Sequence, residues 1–176
     1  MMRTGTKSVL FGVHQFLIHP VWVFLAWWRL YGFPFDPRLW LAFFVHDLGY
    51  LGCAKMDDDK GEAHVLFGAK IMGELFGKEW FDLCQYHSRF WAAKHNTKPS
   101  RLCIADKLVT VLEPWWFYLP RAIATGEVKE YMHEAVNGKH RKEKICVASR
   151  KAWYLSIQSF LSKWVEEHHE PEPKGE

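Results

Sequence analysis

FFVHDLGYLG, residues 43 to 52, sets a histidine and an aspartate side by side at the centre of an apolar run and follows them at once with glycine. A buried carboxylate without a partner is costly, so an inward-facing His46 and Asp47 point to a metal or to proton transfer. The run itself reads as a helix through His46 and Asp47. Asp36 and Pro37 form an N-cap and first-position pair, and Gly49 and Gly52 end the segment.

Working outward, the apolar spacing is helical nearly throughout, and no strand-like alternation lasts beyond a few residues. Pro20 opens a helix that Gly32 closes, and KMDDDKGE (55–62) is a polar loop. Further helices are expected from Glu62 to Phe76, stopped by Gly77, and from about Lys78 to His87. Ser100, after Pro99, caps a helix that contains Asp106 and ends before Pro114. Glu127 to Asn137, with Gly138 behind it, and Arg141 to about Glu167 complete the set. The expected fold is all-α, a single-domain helical bundle over residues 1–165. Residues 166–176, charged and broken by proline, read as a disordered tail.

Apolar residues make up 49% of the chain and aromatic ones 16%, with ten Trp, so the core is ring-rich. Lys and Arg outnumber Asp and Glu by 23 to 20, and no dense basic face stands out, which argues against duplex nucleic acid as a partner. Cys53, Cys84, Cys103 and Cys146 are scattered and form no CxxC pair. That argues against a zinc knuckle or a disulfide framework and for a reducing, cytoplasmic location. The opening MMRTGTKSVLFGVHQ lacks a small-residue cleavage site after its short apolar part. Neither Val21–Leu30 nor Leu39–Val45 approaches the roughly 20 apolar residues of a membrane span. Self-association as a homo-oligomer stays open.

Five positions share a pattern with the opening motif. HPVWVFLA, FFVHDLGY, EAHVLFGAKI, LCQYHSRF and LCIADKLV each embed a polar, ligand-type residue among core-type neighbours. They supply His19, the pair His46 and Asp47, His64, His87 and Asp106. Inward side chains from separate helices can converge on one point, as in bundle metal sites. Imidazole with carboxylate suits Fe, Mn, Zn or Ni rather than Ca. His14, His133 and His140 read as core or surface histidines, and His168 and His169 belong to the tail.

The order His, His-Asp, His, His, Asp resembles the HD-domain superfamily of metal-dependent phosphohydrolases, all-α proteins named for the His-Asp pair. His19 stands 27 residues before His46, an interval usual there, and HPVWVFLA is similar to that superfamily's H-x-x-x-V-x-x-A face. His14 competes as first ligand but lacks this context. The stretch from HVLFGAKIM to LVTVLEP looks most like the branch that hydrolyses diadenosine tetraphosphate, in its H-x-x-x-G-A, Y-H and A-D-x-x-x-x-x-E-P elements. The resemblance covers roughly residues 15 to 114. Tyr50 stands where that branch usually has Lys and where 5′-deoxynucleotidases often carry Glu. The HHE and GYP elements of cyclic-di-GMP phosphodiesterases are absent.

By resemblance, His19, His46, Asp47 and Asp106 would hold one divalent metal ion, and His64 and His87 a second, with Asp47 bridging. The implied activity is hydrolysis of a small phosphorylated substrate, a nucleotide in the first instance, by a metal-bridging hydroxide. Two cations about 3.5–4 Å apart make such a water acidic and neutralise charge on a phosphoryl oxygen. Superfamily members that bind the same ligand order to a mixed-valent di-iron centre and activate dioxygen are the alternative. Arg89, Lys107, Lys94 and Lys55 are the candidate phosphate contacts, Arg89 foremost because a guanidinium binds bidentately. Tyr50 can offer a hydroxyl. Trp22, Trp27, Trp91, Trp115 and Trp116 are the candidate rings for stacking on a base.

Overall fold

The computed structural model describes residues 2–56, 59–137 and 145–170, and every regular element among them is helical. The order is α1 (Thr4–Phe11), α2 (Ile18–Tyr31), α3 (Pro37–Val45), a 3-10 turn (Leu48–Tyr50), α4 (Asp59–Glu62), α5 (Val65–Phe76) and α6 (Lys78–Gln85). Then come α7 (Arg89–Lys94), α8 (Arg101–Leu112), α9 (Trp115–Thr125), α10 (Glu127–Asn137) and α11 (Arg150–His168).

Local chemistry explains most boundaries. Asp36 accepts from Arg38 N at 2.9 Å with Pro37 at the first helical position, and Ser100 accepts from Cys103 N at 3.2 Å. Gly77 ends α5 with φ 92°, where a side chain would be strained. Four helices have no counterpart in the sequence reading: α1, the one-turn α4 within the expected loop 55–62, the six-residue α7, capped by Ser88, and α9, which carries Pro120 inside it. Three others differ in extent, α5 starting at Val65 rather than Glu62 so that His64 precedes it. α3 stops at Val45, so His46 and Asp47 occupy the turn that follows it. α11 starts at Arg150, after Ser149 caps it, rather than at Arg141; residues 141–144 lie outside the described ones. α11 runs to His168, into the span expected to be a tail, of which residues 171–176 also lie outside.

α8 is the axis. It buries Leu102, Cys103, Ile104, Ala105, Leu108 and Val109, a nearly all-round apolar surface, and receives α2 and α11. Val23, Trp27, Phe43, Ala69 and Met72 join it in the main core. A second core joins Val13, Tyr118, Leu119 and Ala122 to Trp153 and Tyr154 of α11. No helix among the described residues is long and apolar enough to cross a membrane.

Two glycines bring the His-Asp turn, His64 and α5 together. A Cβ on Gly68 would stand 2.7 Å from Val45 O and 2.9 Å from His46 Cα, so α5 lies directly against the backbone of the His-Asp turn. A Cβ on Gly49 would stand 2.0 Å from His64 O. The glycine four residues after His64 thus has a packing reason: only hydrogen fits there.

Candidate metal centre

All six ligand-type residues meet at one place. His19 comes from the first turn of α2, and His46 and Asp47 from the turn after α3. His64 stands immediately before α5, His87 follows α6, and Asp106 lies mid-α8. Asp47 is the centre. Its Oδ2 lies 3.2 Å from both His19 Nε2 and His46 Nε2, while its Oδ1 lies 3.3 Å from His87 Nε2 and 3.6 Å from His64 Nε2. Asp106 Oδ1 closes the first group, 3.1 Å from His19 Nε2. His19, His46, Asp47 and Asp106 bring one ligand atom each within 4.8 Å of one another, as do Asp47, His64 and His87. These buried groups can hold a metal ion.

The protonation pattern fits a cation. His46, His64 and His87 each place Nδ1 on the carbonyl oxygen three residues earlier: Phe43 O at 3.0 Å, Gly61 O at 2.6 Å and Cys84 O at 2.5 Å. A carbonyl only accepts, so Nδ1 carries the hydrogen and Nε2 keeps its lone pair for the centre. His64 Nε2 and His87 Nε2 then face each other at 3.1 Å, two acceptors in repulsive contact unless something positive lies between them. Burial and His87 push the pKa of His64 well down, so a proton is a poor choice for that place. Among the described residues, His19 Nε2, His46 Nε2 and Asp47 Oδ2 are buried and meet only one another and Asp106, with no well-formed hydrogen bond outside that group.

The carboxylates are held ionised. Burial opposes the charge of Asp47, but His46, His14 and His19 outweigh it and keep the carboxyl well below the usual range. At Asp106, Lys107 and His19 overcome burial in the same direction. Burial alone would lower the pKa of His19, yet Asp106 and Asp47 raise it to about 10.

A cavity of about 330 Å³ reaches this centre through His19 and Asp106, bounded by Tyr50, Glu62, Arg89 and Lys107. Tyr50 stacks on the His64 ring at 3.8 Å and 12°, fixing its plane. Arg89 lies against the rings of Phe160 and Trp164 and has no carboxylate partner among the described residues. Lys107 bonds Asp106 Oδ2 at 2.8 Å. Lys94 sits over Trp91, and neither Lys94 nor Lys55 bounds the cavity.

None of the five tryptophans proposed for stacking reaches it either. Trp27 is core, Trp22 packs on the core beside Phe117, Trp91 Nε1 donates to Glu62 O, and Lys151 lies over Trp115 beside the exposed Trp116. The aromatic side chains on the cavity wall are instead Tyr50, Tyr118, Tyr131, Trp153 and Phe160. His14 also lines the cavity, beside Tyr50 and His19 but outside both ligand groups. No protein-family model, curated protein or solved structure matches this chain.

Proposed function

We propose that this chain is a metal-dependent phosphohydrolase of the HD type, acting on a small phosphorylated substrate of the nucleotide class. The observation that carries the reading is the division of Asp47: one carboxylate oxygen serves His19 and His46, the other His64 and His87. A carboxylate so shared is a bridge between two sites. When bound there, two divalent ions, drawn from Fe, Mn, Ni or Zn, supply a nucleophile at neutral pH and positive charge for phosphoryl oxygens.

The chain's own groups divide the remaining work. Asp47, His19, His46 and Asp106 would hold one ion, and Asp47, His64 and His87 the other. Arg89 stands on the cavity wall with its guanidinium unclaimed by a carboxylate among the described residues and would donate to phosphate oxygens in pairs. Lys107, bonded to Asp106, keeps that ligand anionic and adds a second positive charge to the wall. The side chains of Val109, Tyr118 and Phe160 add apolar surface to the rest of the cavity wall.

Elemental analysis of protein purified without chelator and without oxygen tests this first. Two metals per chain in the wild type, one in His64→Ala and none in Asp47→Ala are the expected contents, with phosphoester hydrolysis following the metal. Full metal content in Asp47→Ala refutes the bridge. Two irons with oxygen consumption and no hydrolysis would replace the hydrolase by the oxygenase.

A further inference from the structure

The cavity has a second end, away from the ligand-type residues, and α8 and α11 give its direction. Asp106 and Glu113 both line it, seven residues apart, so it follows α8 for about 10 Å. α11 runs the opposite way. Tyr154 Oη reaches Thr110 O at 3.0 Å and Glu113 O at 2.9 Å, while Phe160, about two turns later, meets the guanidinium of Arg89, which stands near Lys107. Trp153, next to Tyr154, therefore stands at the end remote from Asp106.

Two helices give this end one face each. Trp153, Ile157 and Phe160 fall at i, i+4 and i+7 of α11, and all three line the cavity. Tyr131 and Glu134, at i and i+3 of α10, line it too, and the Tyr131 ring lies 6.4 Å from that of Trp153 at 15°. The wall is not simply apolar. Trp153 is 3% exposed, and its Nε1 is buried with no acceptor among the described residues. An indole nitrogen can only donate, and a buried one normally finds a partner. The hydroxyl of Tyr154, as deeply buried, has two carbonyls within reach.

A group that suits this end brings a flat apolar face for the rings and an acceptor for the indole N–H. A hydrocarbon chain lacks the acceptor, and a bare sugar lacks the face. A heteroaromatic base has both, and Glu134 offers a carboxylate to its amino group or to a sugar hydroxyl. At about 330 Å³ the cavity is at the lower end of small-molecule sites, roughly 300–1,000 Å³, a size for one base with its sugar and phosphate rather than for two.

We propose that the wall built by α10 and α11 is a base pocket, and that Trp153 is its specificity-determining residue, donating its N–H to a ring nitrogen or carbonyl oxygen of a nucleoside monophosphate. Tyr131, Glu134, Trp153, Ile157 and Phe160 all lie beyond residues 15–114, the stretch whose pattern resembles a known family. The pocket rests on the phosphohydrolase reading for the phosphate alone; recognition of the base rests on Trp153 and its surroundings.

The test is ¹H–¹⁵N NMR of the full chain, the Trp153 indole peak being the one lost in Trp153→Phe. Uridine, cytidine, adenosine or guanosine should move that peak downfield, and phenyl phosphate, a ring without a base's acceptor, should not. Calorimetry should show the nucleoside that binds best weakened about tenfold in Trp153→Phe. A peak that none of the four nucleosides moves overturns the proposal whether or not the variant folds, and so does an equal Kd in the two proteins. Ribose 5-phosphate hydrolysed as well as the nucleoside monophosphates overturns the pocket and leaves the phosphohydrolase standing. Nucleosides that bind at Trp153 in a chain that hydrolyses no phosphoester support the pocket and sink the hydrolase reading.

Discussion

Metal uptake at the first group should release a proton well above the pH at which a free imidazole is already neutral. Asp106 and Asp47 overcome the cost of burial at His19 and raise its pKa to about 10, against 6.5 for an unperturbed histidine. Nε2 must lose its hydrogen before it can coordinate, so the ion competes with a proton. The competition persists at every pH below about 10, and the apparent affinity should rise tenfold per pH unit. From pH 6.5 to 8.5 that is about a hundredfold, or about 2.7 kcal/mol. Mn titrated by calorimetry at pH 6.5, 7.5 and 8.5, in two buffers of different ionisation enthalpy, gives both the slope and the proton count. An affinity that levels off above pH 7, with no proton released at pH 8.5, would refute the reasoning. The linkage has a second face in the metal-free chain. A raised pKa stabilises the fold fully below 6.5 and loses that contribution as pH climbs through 10, a ceiling of about 5 kcal/mol. The metal-free protein should therefore melt progressively lower from pH 7 to 10.

Other outcomes follow from single contacts. Arg89→Ala should raise KM for a phosphomonoester roughly ten- to a hundredfold, and Arg89→Lys should recover part of it; unchanged KM in both would remove Arg89 from the substrate. Gly68→Ala forces a methyl against Val45 O and His46 Cα, costing about 1–3 kcal/mol, read as a Tm lower by about 3–10 °C together with weaker metal binding. Arg121→Ala strands the buried Glu113 without its ion-pair partner, a loss of about 3–5 kcal/mol by chemical denaturation. Glu113→Gln added to that variant should recover part of the loss.

What was readable in the chain, and what was not, divides by the range of the interaction. Asp36 with Pro37, Ser100, Gly32 and Gly77 act within one turn of helix, and the structure puts each where local chemistry predicts. The ligand-type residues were visible because each interrupts an otherwise apolar run. α9 was hidden by its own sequence, since Pro120 in mid-segment reads as a helix breaker although the residues around it are amphipathic. The cavity wall was out of reach for a different reason. Tyr131, Trp153 and Phe160 acquire their place only when α10 and α11 dock. His14 gave no local sign either, because Ser8 and Glu127, its polar neighbours, lie 119 residues apart.

The three imidazoles held by carbonyls at Phe43, Gly61 and Cys84 have one more consequence. Each ring is aimed by the peptide that carries it, so every ligand segment is a self-contained cassette. Among the described residues no distant side chain bonds Nδ1 of these three rings, and substitution scanning should find no such partner to break. Lengthening the loops between cassettes alters how far apart the rings stand but not how each one points. Such a centre can absorb insertions between its parts and keep the chemistry of each part intact.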